Sequence, residues 1–131
     1  MRWGFDIAAL RGLLKRTSTP PAEIMIPVAA AAQLLEQDPK SLPEGKRVVP
    51  LIGVEVQWDK VDQLSPEALT EPLFAAPFGE IGTIVIDGWH RLALARRLGV
   101  TELPALLLTR RQASRVLLPG SAKLPPEKKE A

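Results

Sequence analysis

The chain is expected to fold as a small α/β (α+β) protein, a mixed sheet with flanking helices. Three observations carry that expectation. Its 131 residues are 46% hydrophobic, enough for one domain with a core of its own. Apolar patterns of helical period alternate along the chain with short runs of β type. Residues 83–108 read as strand, glycine turn, helix and strand in direct succession.

The first helix is expected from about Asp6, a good N-cap, with Ile7, Leu10, Leu13 and Leu14 on one face. Thr17-Ser18-Thr19-Pro20-Pro21 ends it. A short strand at Ile24–Ile26 precedes a helix with Pro27 at its start, which runs through alanines 29–32 until Asp38-Pro39 stops it. Ser41–Gly45 is a polar turn. Val48-Val49 and Leu51–Trp58 give one or two strands, with Val54, Val56 and Trp58 on a buried face and Glu55 and Gln57 on the other. Ser65-Pro66-Glu67 opens a short helical turn, and Pro72, Pro77 and Phe78-Gly79 make a loop expected to cover the site.

Strand Thr83–Ile86 follows that loop. Past the next helix, the apolar run Leu103–Leu108 is expected as a strand buried on both faces and pairing beside Thr83–Ile86. Gln112–Leu118 gives a last helical turn. Residues 1–118 are read as a single domain, with 1–20 as N-terminal helix and linker. The Pro, Lys and Glu content of the end makes 119–131 a disordered tail.

The informative stretch is Ile84-Val85-Ile86-Asp87-Gly88-Trp89-His90-Arg91 and the helix it opens. The first N–H groups of a helix lack intrahelical acceptors and lie at the positive end of its dipole, so a phosphate satisfies both there. Gly88 lets a ligand approach the backbone. Arg91 falls on the line of Ala95 and Leu98 with Leu94 beside it, which puts a charge on the apolar stripe. An unpaired buried guanidinium is costly, so Arg91 is expected to reach past the strand end to an anion or a carboxylate.

The run from Val85 to Leu108 resembles the signature of the ParB/sulfiredoxin superfamily. The matching positions are Asp87, Gly88, His90, Arg91, the helix through Leu98, Gly99 and the strand after Pro104. A weaker upstream match lies at Glu23–Val28, or at Val54–Val56 with Trp58–Val61. The resemblance covers roughly a quarter of the chain. It implies a ParB/sulfiredoxin-like fold that holds nucleotide phosphates at this helix start. Members diverge: ParB proteins bind and hydrolyse CTP while handling DNA, sulfiredoxins use ATP to repair a sulfinic acid, a free-serine kinase uses ADP, and some plasmid-borne members are ATPases and DNases.

Trp89 stands where the sulfiredoxin motif has a cysteine, and the chain contains no cysteine, which excludes thiolate chemistry. The residues after Thr109 are too few for the helix-turn-helix and dimerisation domains of partition proteins, so that complete function is not expected. The leading expectation is an NTP phosphate-binding domain, for ATP or CTP, with weak NTPase activity. Gly88, Trp89, His90 and Arg91 form its phosphate and nucleotide contacts. Asp87 and His90 are the candidate catalytic groups, and Mg²⁺ is the candidate counter-charge, held by Asp87 or Glu55. Asp87 could instead cap the helix or orient Arg91, and the indole of Trp89 could stack on a base or pack inside. An imidazole beside an anion would have its protonated form favoured. Glu80 is a further carboxylate, with less to recommend it.

Net charge is only +2 but uneven. Six arginines face two acidic residues between Asp87 and Leu118, whereas 54–82 carries six carboxylates against Lys60. This makes Arg96, Arg97, Arg110 and Arg111 candidate nucleic-acid contacts and DNA binding, or DNase action of the ParB-like kind, the second reading. The third is a non-enzymatic interaction module, as a homodimer or with a protein partner docked on the first helix. No apolar run is long enough to span a bilayer and no signal-peptide core is present, so no membrane partner and a cytoplasmic location are expected.

Overall fold

Asp6 opens the first helix in the computed structural model, which describes residues 3–18, 20–36, 46–48 and 55–125. Its Oδ1 accepts the Ala9 N–H at 3.0 Å, so helix α1 (Ile7–Arg16) starts on a side-chain cap. Leu10 on this helix is fully buried, with Ile7, Leu13 and Leu14 packed partly against the core. Strand β1 (Ala22–Pro27) passes directly into α2 (Val28–Glu36), and the Val28 N–H donates to the Thr101 carbonyl. Pro27 closes the strand rather than opening the helix. The expected helix stop at Asp38-Pro39, the polar turn at Ser41–Gly45 and the strand residues Val49 and 51–54 lie outside the described residues.

Strands β2 (Lys46–Val48) and β3 (Glu55–Gln57) pair antiparallel as a two-stranded ribbon. β3 ends where α3 (Trp58–Gln63) begins, so Trp58 opens a helix instead of extending a strand. Of the expected buried face Val54, Val56 and Trp58, Val56 is fully buried, Trp58 is partly buried on the following helix, and Val54 lies outside the described residues. A 3₁₀ turn at Pro66–Thr70 follows, with the proline at its first position as expected.

The main sheet holds four strands in the order β1, β6, β4, β5, with β4 (Leu73–Pro77), β5 (Thr83–Asp87) and β6 (Glu102–Leu107). β1 is antiparallel to β6, β6 parallel to β4, and β4 antiparallel to β5. The mixed sheet with flanking helices is therefore present. Two expectations are corrected. The segment read as a loop over the site is β4, an interior strand whose Leu73, Ala75 and Ala76 are fully buried. Because β4 lies between them, β6 does not pair beside β5, and the strand–helix–strand unit joins antiparallel, non-neighbouring strands. Pro104 is tolerated in β6 because the pairing with β4 begins only at Ala105.

Helix α4 (Trp89–Arg97) links β5 to β6, and its buried face is Trp89, Leu92, Ala93, Leu94 and Ala95. Leu98, placed on that stripe by the sequence, is half-exposed at the helix end, where Gly99 takes a φ of 75°. Helix α5 (Arg110–Arg115) starts on a capping box, in which Thr109 Oγ1 accepts the Gln112 N–H and Gln112 Oε1 accepts the Thr109 N–H. The residues after it do not leave the domain at 119. Trp3 Nε1 donates to the Lys123 carbonyl at 3.1 Å, Gly4 N donates to Ser121 Oγ at 3.0 Å, and Leu124 is 3% exposed. This corrects the expected tail for 119–125, while 126–131 lie outside the described residues.

Candidate functional site around the start of helix α4

Gly88 sits between β5 and α4 with φ 99° and ψ 21°, a left-handed conformation that turns the chain from strand into helix. A Cβ added there would lie 2.4 Å from Leu73 Cδ2 and 2.9 Å from Arg91 Nη2. The close approach that requires glycine is thus made by the fold's own side chains. Asp87 does not cap the helix, because Gly88 is the N-cap and no side chain accepts there.

Arg91 lies in the first turn and folds back over Gly88. Its Nη1 donates to the Glu71 carbonyl at 2.9 Å and the Pro72 carbonyl at 3.1 Å, ahead of β4. Nη2 stands 3.8 Å from Asp87 Oδ2, and Nη1 stands 3.8 Å from the exposed Glu71 carboxylate. The side chain is only 14% exposed, and its charge is supported by two carbonyls and two carboxylates. Of the roles open to Asp87, the geometry gives it the one of facing Arg91.

The imidazole of His90 is held from the other side: its Nε2 accepts the Gln57 N–H at 3.1 Å, tying α4 to the end of β3. An accepting Nε2 requires the neutral ring with its proton on Nδ1. Burial, and next the charge of Lys60, hold His90 below its ordinary 6.5 against the opposing pull of Asp59 and Asp87. In the protein by itself the neutral form is favoured, the reverse of the ring expected beside an anion. Trp89 is 1% exposed and its Nε1 donates to the Val85 carbonyl at 2.9 Å. That corrects its candidacy for stacking, since no indole face is offered to a base.

Two clefts meet at this helix start and share Asp87, Gly88 and His90. One, of about 400 Å³, is lined besides by Arg11, Leu64, Ala68, Glu71 and Arg91. The other, of about 320 Å³, is lined by Gly4, Phe5, Ile7, Ile86, Trp89 and Leu118. The first carries two guanidinium groups, and the second is mostly apolar beyond the residues they share. Arg11, exposed on α1, was not singled out by the sequence. It enters the site only because α1 packs near β5 and α4, a pairing across some eighty residues that no local pattern announces.

The remaining candidates do not converge here. Arg97 pairs with Asp62 on α3. Arg110 donates through Nε and Nη2 to the carbonyls of Pro125 and Leu124. Arg111 is exposed near the start of α5, and Arg96 is exposed toward the far end of α4. Glu80 lies in a 3₁₀ turn ahead of β5, at the end of that strand remote from Gly88. Glu55 belongs to β3 by its backbone. Among the described residues, no three His, Asp or Glu side chains gather as a metal-ligand group, and no helix is long and apolar enough to cross a membrane. Comparison with family models, with curated proteins and with solved structures gives no match.

Proposed function

We propose that the chain is a ParB/sulfiredoxin-like nucleotide-binding domain that takes the phosphates of an NTP, ATP or CTP, at the start of α4 and hydrolyses it weakly. The observation that carries the reading is the two-lobed cleft around Asp87, Gly88 and His90. Its polar lobe holds Arg11 and Arg91 beside first-turn N–H groups, and its other lobe is lined by Phe5, Ile7 and Leu118. A ligand that is anionic at one end and flat and apolar at the other matches both lobes. Arg91 is pre-oriented by Asp87 and two carbonyls, so little side-chain freedom is lost on binding.

Asp87 and Glu71 both line the polar lobe and both face Arg91, so Mg²⁺ would be held chiefly by the phosphates and water, with Asp87 as the candidate protein ligand. Bound there, the metal supplies counter-charge. His90 contributes Nδ1–H as a donor while Nε2 remains engaged with Gln57. Contact with an anion would oppose the burial that disfavours its protonated form.

The test is calorimetric titration of ATP, ADP, CTP and GTP, with and without Mg²⁺, into the wild type, Arg91→Ala and Arg11→Ala. Arg91 also supports the backbone ahead of β4, whereas Arg11 is exposed, so the second variant separates binding from folding. Saturable binding weakened in both variants by well over ~1 kcal/mol is expected for charge-assisted contacts. Equal affinity in both variants would remove the phosphate cradle from this cleft, and no binding of any nucleotide would remove the function.

A further inference from the structure

We propose that His90 is a proton-sensitive latch between α4 and the β3–α3 junction, closed when the ring is neutral and opened when it is protonated. The latch requires no nucleotide in the cleft. Its geometry is one bond: Gln57 N–H donates to His90 Nε2 at 3.1 Å across a partly buried contact. Gln57 is the last residue of β3 and the N-cap of α3, and its side chain makes no capping bond. The imidazole therefore anchors the residue at which strand turns into helix.

A second proton on the ring goes to Nε2, where its N–H would confront the Gln57 N–H. Two donors cannot share that contact, so Gln57 must move away or the ring must turn into the cleft. The charged groups around the imidazole are Asp59 and Lys60 on α3, Asp87 at the end of β5 and Arg91 on α4. Arg11 on α1 and Glu71 ahead of β4 line the same cleft. Cations and carboxylates thus face the ring from several elements, while its burial favours the neutral form.

The direction of the energetics follows. The folded value of His90 lies below its ordinary 6.5, so the unfolded chain takes the proton first. The latch's contribution to stability is complete above about 6.5 and is lost as pH falls from there toward the folded value. Val56 and Val61 are fully buried beside the junction, so β3 and α3 have apolar anchors besides the bond to Gln57.

His90 is the only histidine, which makes its ring signals unambiguous in an NMR titration. The experiment follows those signals and the Gln57 amide protection factor between pH 8 and 5 in the wild type and in His90→Gln, whose amide oxygen accepts without titrating. Gln57 protection should fall about tenfold in step with the His90 titration, and should stay level in the variant. Protection that ignores the His90 titration overturns the latch. So does a step of the same size in His90→Gln, which would assign the response to another group. The wild-type titration decides the matter even if the variant does not fold.

Discussion

At Gly88 two demands fall on one residue. Its φ of 99° disfavours any side chain, and the space a Cβ would need is taken by Leu73 and Arg91. Gly88→Ala should lower stability by about 2–4 kcal/mol, summing backbone strain and overpacking. Urea unfolding measures it, and a loss under about 1 kcal/mol would mean that Leu73 and Arg91 yield easily. The turn itself was readable, because the change from strand pattern to helical pattern across Asp87-Gly88 is local. Arg91 was readable only as a charge in need of a partner. The carbonyls of Glu71 and Pro72 that it meets lie some twenty residues earlier and leave no trace in the pattern around it. Trp89 was legible to the same extent: its position was clear, but burial of its indole depends on the elements packed over it.

Among the elements, β4 shows where pattern reading stops. Leu73-Phe74-Ala75-Ala76-Pro77 is bracketed by prolines and contains alanines, poor strand formers, so its composition says loop. It is nonetheless a strand because β5 and β6 offer hydrogen-bonding edges on both sides and the alanines fit a fully buried position. Pro77 is confined to its last position, paired with Thr83. The opposite case is α5, six residues long and too short to hold together by propensity. Its capping box at Thr109 and Gln112 supplies what length does not. Thr109→Ala should cost about 1 kcal/mol, read as a lower urea midpoint with an unchanged m-value. No shift would show that tertiary packing alone holds this helix.

Across the whole molecule the sheet order was the least legible feature. Residues 83–108 were correctly divided into strand, helix and strand, yet β4 separates the two strands and sets them antiparallel. The two ends of the described chain were equally hard to foresee, since Trp3 and Lys123 meet across 120 residues. Trp3 also packs edge-on to Phe78 with ring centroids 5.2 Å apart, and Phe5 bridges to Leu117. Leu124 completes this region, so Leu124→Ala should destabilise the protein by about 2–3 kcal/mol in chemical denaturation. A surface-like effect below about 0.5 kcal/mol would instead place residues 119–125 outside the cooperative unit.

The clasp between Trp3–Phe5 and Leu117–Leu124 has a counterpart in time. Trp3 and Gly4 find their partners more than a hundred residues later in the chain, so they wait for those partners while β1, β4, β5 and α4 are synthesised. Contacts of such sequence separation form slowly, because a long loop must close before they reward it. Phe5 lines the apolar lobe of the cleft and bridges to Leu117, so that lobe is complete only once this long-range closure has formed.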